Sequence, residues 1–256
     1  MIEVTHEPVR EVTRFQGQPL AIVGAGPSYS DELAQGLLNV GDRVNVFALN
    51  HTITELFRHP LHWWVSNDMD RTFGNPNIAA GICPRLEGYD QWRMVTQRLF
   101  IPGPFGDHHW WGRNDDPREA MDFRLPCPSG SHVAWYFGGE GKNETLKGYV
   151  RNGHSVLELA LEVATLWGFD PIVLFGCDMK MPTVATYYAE QFRWKPTPAK
   201  VARGKLRQAR QSIVDNRKRW KRDIFHVTGM WDESPFKLST RDEAAAILGV
   251  ESEVWV

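Results

Sequence analysis

Leu20-Ala21-Ile22-Val23 is apolar at every position and runs directly into Gly24-Ala25-Gly26-Pro27-Ser28. A strand with one wet face alternates apolar and polar side chains. A continuous apolar run has both faces covered and belongs inside a sheet. Three further segments read as strands of the same kind of sheet: Val44–Leu49, Trp63–Ser66 and Pro171–Gly176. Between them lie stretches of helical character, Asp31–Leu38, Thr52–Phe57 and Ser155–Trp167. The last places Val156, Leu159, Ala160, Val163 and Leu166 on one face. Strands alternating with helices imply parallel pairing, because a parallel neighbour needs a crossover long enough to hold a helix. The expectation is an α/β fold, a three-layer sandwich around a mostly parallel, Rossmann-like sheet.

The rhythm breaks in the middle of the chain. Residues 70–150 are dense in Pro and Gly, with candidate strands only at Ile78–Cys83 and Met94–Ile101 and a loop at Trp110–Met121. A long irregular stretch within a compact domain is commonly a lid or a binding surface. The expected organisation is one α/β domain over 1–256, with 70–150 as an inserted lid or acceptor subdomain. Past the Ser155–Trp167 helix, closed by Gly168, come a strand at Asp223–Val227 and a loop at Ser234–Leu238. The last element is a short helix at Arg241–Leu248, capped by Thr240 or Ser239.

A net charge of −2 gives the whole molecule no field for a polyanion. There is no apolar run of about 18 residues, the length a membrane span needs, and Met1–His6 lacks the pattern of a signal peptide. Three widely spaced cysteines, Cys83, Cys127 and Cys177, form neither a metal motif nor an even disulfide set, which points to a reducing cytoplasm. The 11 tryptophans include two adjacent pairs, Trp63-Trp64 and Trp110-Trp111. Exposed tryptophan stacks on sugars and bases, whereas most tryptophan packs in cores.

Chemistry concentrates at strand ends. The turn Gly24, Ala25, Gly26, Pro27, Ser28 places backbone N–H groups and a helix start at one point, which suits a phosphate provided those N–H groups are not used by the protein. It has only the first two glycines of a dinucleotide fingerprint, and a glycine pair also makes purely structural turns. Asn50, Asn67-Asp68 and Asp178 each follow a strand. In open α/β sheets ligands bind beyond those ends, although Asn and Asp also follow strands simply because they make turns. Asn152-Gly153-His154-Ser155 opens the long helix as a second anion-accepting start, with His154 a candidate general base.

Two other segments carry weaker signals. Residues 193–222 hold twelve Lys or Arg against one acid, Asp215, with Trp194 and Trp220 interleaved. A solvated helical face and a nucleic-acid contact both fit such a run. His108-His109-Trp110-Trp111 lies among Asp107, Asp115 and Asp116. The spacing matches no zinc pattern, so an acceptor-binding aromatic loop over Trp110 and Trp111, or a packed insertion, is expected ahead of a metal site.

The order of these motifs resembles a known family. A strand followed by Gly-x-Gly-Pro-Ser, strands ending at Asn50 and Asn67, a helix start at Gly153-His154-Ser155 and a strand ending at Gly176-Cys177-Asp178 look like the bacterial lipooligosaccharide sialyltransferases. They also look like the wider DUF115 group, which includes 6-hydroxymethylpterin diphosphokinase-like proteins and phage proteins. The match covers about residues 18–70 and 150–180, with a looser echo from Phe225 to Leu238. The resemblance implies a metal-independent, inverting glycosyltransferase with a nucleotide-sugar donor and no required cofactor. The donor would lie against Gly24, Ala25, Gly26, Pro27, Ser28, Asn50, Asn67, Gly153, Ser155 and Asp178. The acceptor would be a glycan or a modified DNA base. Ala25 replaces the family's asparagine. The family's catalytic histidine has no counterpart in residues 180–200, which leaves His154 and His226 as candidate bases. Two alternatives stay open. One is a Mg²⁺-dependent diphosphotransferase of the pterin type, with Asp68, Asp70 and Asp178 around the metal. The other is a non-enzymatic nucleic-acid-binding protein on a decayed transferase fold.

Overall fold

The computed structural model describes residues 3–8, 15–24, 26, 28–29, 36–37, 43–52, 62–65, 91–96, 100–102, 108–110, 121–123, 132–137, 155–179, 199–227, 231 and 233–251. In chain order the strands are β1 (Glu3–Pro8), β2 (Leu20–Val23), β3 (Asn45–Leu49), β4 (His62–Val65), β5 (Gln91–Thr96), β6 (Phe100–Pro102), β7 (His108–Trp110), β8 (Met121–Phe123), β9 (His132–Phe137), β10 (Ile172–Phe175), β11 (Ile224–His226) and β12 (Lys237–Leu238). Of the helices, α1 (Val156–Leu166), α2 (Ala199–Asn216) and α3 (Arg241–Leu248) lie in the described residues, and residues 36–37 are helical as well. Nine strands form one sheet in the order β1-β9-β5-β4-β3-β2-β10-β11-β12. Every pairing in it is parallel.

The apolar runs of the sequence are the centre of this sheet. β2, β3 and β10 are buried at every position, as a parallel sheet covered on both faces requires. Leu20, Ile22, Phe47, Leu49, Trp63, Val65, Ile172 and Leu174 point into one core together with Leu157, Leu159, Ala160, Leu161, Val163 and Ala164 of α1. The alternate residues Ala21, Val23, Val46, Ala48, Val173 and Phe175 are buried as well, and α3 packs against β10. An aromatic nest fills the first core. Phe15 stacks on Phe169 with centroids 4.6 Å apart, and Trp63 meets Trp167 at 4.8 Å. Such contacts add about 0.5–1.5 kcal/mol each beyond burial. Trp63, Trp167, Trp220 and Trp231 are core residues.

The ends of the helices are set by their sequences. Ser155 caps α1: its side chain accepts from the Glu158 amide, while the Glu158 carboxylate accepts from the Ser155 amide. Glu158 is buried and also takes the Ser212 hydroxyl of α2 at 2.5 Å, which ties the two helices together. Gly168, with φ +85°, ends α1, and the amides of Gly168 and Phe169 return to the carbonyls of Thr165 and Ala164. This is a Schellman closure. Thr240 caps α3 in the same reciprocal way with Glu243.

Within 70–150, β5 and β9 extend the sheet beyond β4, and β9 pairs with β1. Within the same stretch, β6, β7 and β8 make a small antiparallel sheet. The candidate strand Met94–Ile101 caught only the second half of β5, because Gln91 and Arg93 alternate with Trp92 in its first half. The segment at 234–238, expected as loop, ends in β12, an edge strand of two exposed residues too short to show periodicity. Candidate strand 78–83, the Asp31–Leu38 helix beyond residues 36–37 and most of Thr52–Phe57 lie outside the described residues.

Candidate functional site

The chain builds the sheet outward in two directions from β2. β3, β4 and β5 follow on one side; β10, β11 and β12 lie on the other. The order therefore reverses between β2 and β10. In open parallel sheets this switch point is where the flanking connections diverge and leave a crevice at the carboxyl ends of the strands. The residues following β2 and β10 are Gly24–Ser28 and Gly176–Met179, so the two strongest motifs of the sequence face each other there.

They face each other closely. The Gly24 amide donates to the Phe175 carbonyl at 2.8 Å, the Gly26 amide to the Gly176 carbonyl at 2.7 Å, and the Ser28 amide to Asp178 Oδ2 at 2.7 Å. The Tyr29 amide closes back on Gly26. A Cβ on Gly26 would meet the Gly176 carbonyl oxygen at 2.5 Å and overlap Asp178 Oδ2, so only glycine allows this approach. Gly176 itself sits at φ +59° with the Gly24 carbonyl where a Cβ would lie. The expectation that a phosphate docks on the bare amides of Gly24, Gly26 and Ser28 is thereby overturned. All three donate within the protein, and the anion at the turn is the protein's own Asp178.

Asp178 is the centre of a buried polar cluster. It is 1% exposed, and Oδ1 has no hydrogen-bond partner among the described residues. The neighbouring Ser28 Oγ is buried and equally without one. His226, at the end of β11 and 0% exposed, holds its Nδ1 3.2 Å from Ser234 Oγ and leaves Nε2 without a partner among the described residues. Trp231 meets its ring edge to face at 5.9 Å. Burial pushes the His226 pKa below the ordinary 6.5, opposed by the negative charge of Asp178 and by the Cys177 backbone, so the ring is neutral at physiological pH. Cys177 is inert: burial and the Asp178 charge push its thiol well above the ordinary range. Buried polar atoms nearly always find partners; these three, at the ends of β2, β10 and β11, have none among the described residues.

Next to the cluster the backbone is held in unusual conformations. Asn50, directly after β3, and Met179, four residues past the end of β10, both have left-handed backbones, at φ 51° and 49°. Such strain in residues other than glycine collects at functional edges. Thr52 Oγ1 lies 3.0 Å from the carbonyls of Val23 and Leu49 and joins the ends of β2 and β3. Arg210 of α2 donates its Nε to the Met179 carbonyl at 2.5 Å and so brings a guanidinium to the end of β10.

The structure thus brings together Gly24, Gly26, Ser28, Asp178 and His226, with Asn50 at the end of β3 one strand away. Ser155 is placed differently, for its side chain is spent as the cap of α1. Trp110 lies in β7, in the small sheet. Ala25, Pro27, Asn67, Asp68, Asp70, Trp111, Gly153 and His154 lie outside the described residues. The sequence reading missed Ser234 and Trp231, which hold His226; neither stands in a motif.

The basic segment is also read differently. Arg217 donates to the carbonyls of Pro235, Trp220 and Arg222 and lies over the Phe236 ring. Arg222 donates to the Thr165 carbonyl, and Arg219 pairs with Glu162 at 2.8 Å. With Arg210, four guanidiniums of this run bond to other parts of the fold. No described helix is long and apolar enough to cross a membrane.

No family model matches the sequence, and no curated protein does. Among solved structures, the MAf glycosyltransferase from Magnetospirillum magneticum AMB-1 superposes over 96% of this chain with a TM-score of 0.52 at 14% identity. The two share a fold. This chain spans 40% of the length of that protein. A glycosyltransferase-like α/β fold with a polar cluster at its switch point is what the geometry and the comparison establish together.

Proposed function

We propose that this protein is a glycosyltransferase that takes a nucleotide-activated sugar at the carboxyl ends of β2, β3 and β10. The observation that carries this reading is the buried, incompletely bonded Asp178–Ser28–His226 cluster at the switch point of a fold shared with a glycosyltransferase. An all-apolar corner would need no ligand to complete it; this one has acceptor and donor atoms waiting inside the sheet edge.

In this reading the residues divide by what they touch. Gly26, by lacking a side chain, lets the turn lie on Asp178. Asp178 holds the turn through the Ser28 amide and keeps one oxygen in reserve. His226 is enclosed beside Asp178, its ring held by Ser234 and Trp231. The resemblance to the lipooligosaccharide sialyltransferases supports a CMP-sugar or related donor and transfer without a metal ion.

The test is a panel of CMP-, UDP- and GDP-sugars with the full chain. Nucleotide release is followed by chromatography and binding by thermal shift, each with and without chelator. One donor class is expected to stabilise the protein, by about 2.7 kcal/mol at a hundredfold excess over its dissociation constant, and to release nucleotide in the presence of chelator. If no nucleotide sugar or nucleotide shifts the melting temperature, the proposal fails. Turnover abolished by chelator assigns the chemistry to a metal-dependent transferase instead.

A further inference from the structure

The corner where the glycine turn meets β10 is a poor place for a phosphate and a good place for a hydroxyl. A phosphate bound there would face the Asp178 carboxylate, which already accepts from the Ser28 amide. The described amides beside it are engaged, and the imidazole next to it is neutral. The atoms left over need a different chemistry. Asp178 Oδ1 can only accept; Ser28 Oγ both donates and accepts; His226 Nε2 does one or the other according to tautomer. A phosphate, carrying acceptors only, satisfies no carboxylate oxygen. A sugar hydroxyl, which both donates and accepts, suits Asp178 Oδ1 and the neighbouring Ser28 Oγ.

We infer that Asp178, with Ser28 beside it, binds the ribose hydroxyls of the nucleotide, and that the phosphates lie outside this corner. The inference rests on the nucleotide-sugar reading and deepens it by fixing the ligand's orientation. The place of Asp178 at the end of β10 puts the sugar over the switch point.

Isothermal titration tests this with cytidine, uridine, guanosine and adenosine 5′-monophosphates, their 2′,3′-dideoxy forms, the free nucleosides, and sodium phosphate and pyrophosphate. The best-binding ribonucleotide is expected to lose about tenfold or more in affinity in the dideoxy form, the cost of a hydrogen bond to a charged group. Asp178→Asn should show a loss of similar size for the ribonucleotide and little further loss for the dideoxy form. An asparagine oxygen still accepts from the Ser28 amide, so the turn is kept. Should that variant nonetheless melt far below the wild type, Ser28→Ala, whose Oγ makes no bond among the described residues, serves the same comparison with a smaller loss. Phosphate and pyrophosphate should not compete. The inference is overturned, with the nucleotide-sugar reading intact, if ribose and dideoxyribose forms bind alike, pyrophosphate competes, or Asp178→Asn tightens nucleotide binding. Failure of every nucleotide and nucleoside to bind overturns both.

Discussion

Replacing Gly26 with alanine adds a single methyl group at the point where the two halves of the sheet are stitched together. The added Cβ would lie 2.5 Å from the Gly176 carbonyl oxygen and overlap Asp178 Oδ2. Neither neighbour is the free end of a flexible chain: one is backbone and the other is fixed by the Ser28 amide. Forcing a methyl group into a packed site costs about 1–3 kcal/mol. Pushing Asp178 away from the Ser28 amide costs a charge-assisted hydrogen bond, about 1.5–3 kcal/mol. Gly26→Ala should therefore destabilise the fold by roughly 4 kcal/mol, which for a chain of this size lowers the melting temperature by about 8–16 °C. Gly204→Ala is the matched control. It lies inside α2 with nothing within 4 Å of the added Cβ, and should stabilise by about 0.5–1 kcal/mol through helix propensity. Urea denaturation of the three proteins measures both. A Gly26→Ala variant within 0.5 kcal/mol of the wild type would refute the geometry of the turn.

Three other outcomes are expected. The His226 pKa is depressed in the folded state, so the unfolded chain takes up a proton first as pH falls below about 6.5. Stability should decline from pH 7.5 towards 5.5 in urea titrations, and His226→Gln should flatten that slope; an unchanged slope contradicts the burial assigned to the ring. Arg217→Ala removes donors to three backbone carbonyls, and should cost about 2–3 kcal/mol, whereas Lys218→Ala and Lys221→Ala on the exposed surface should each stay within about 0.5 kcal/mol. Thr240→Ala breaks the reciprocal cap of α3 and should cost about 1 kcal/mol, measured by thermal denaturation.

The sheet's central strands were legible because they are buried on both faces. Leu20–Val23 and Ile172–Phe175 carry no polar residue to confuse the reading, and Ser155, Gly168 and Thr240 state the helix ends locally. β5 was legible only in part, because Gln91 and Arg93 put polar residues into its first half; β9 was missed although Val133–Phe137 is largely apolar, and Lys237-Leu238 is too short to have a period. At the site, the sequence placed Gly24, Gly26, Ser28 and Asp178 on strand ends but could not say what the amides bind. That answer is a contact between residues 150 positions apart, and nothing local to Ser28 signals it. The intramolecular bonds of the basic segment were hidden for a related reason. Guanidiniums that reach carbonyls on other elements look, in sequence, the same as guanidiniums facing solvent.

Hydrogen–deuterium exchange of the full chain, with and without the nucleotide that stabilises it most, asks directly where the ligand sits. Slowed exchange is expected at residues 24–29, 50–52, 176–179 and 226–227, the carboxyl ends of β2, β3, β10 and β11. Protection confined to the exposed face of α2, or to the amino ends of the same strands, would contradict a donor site at the switch point.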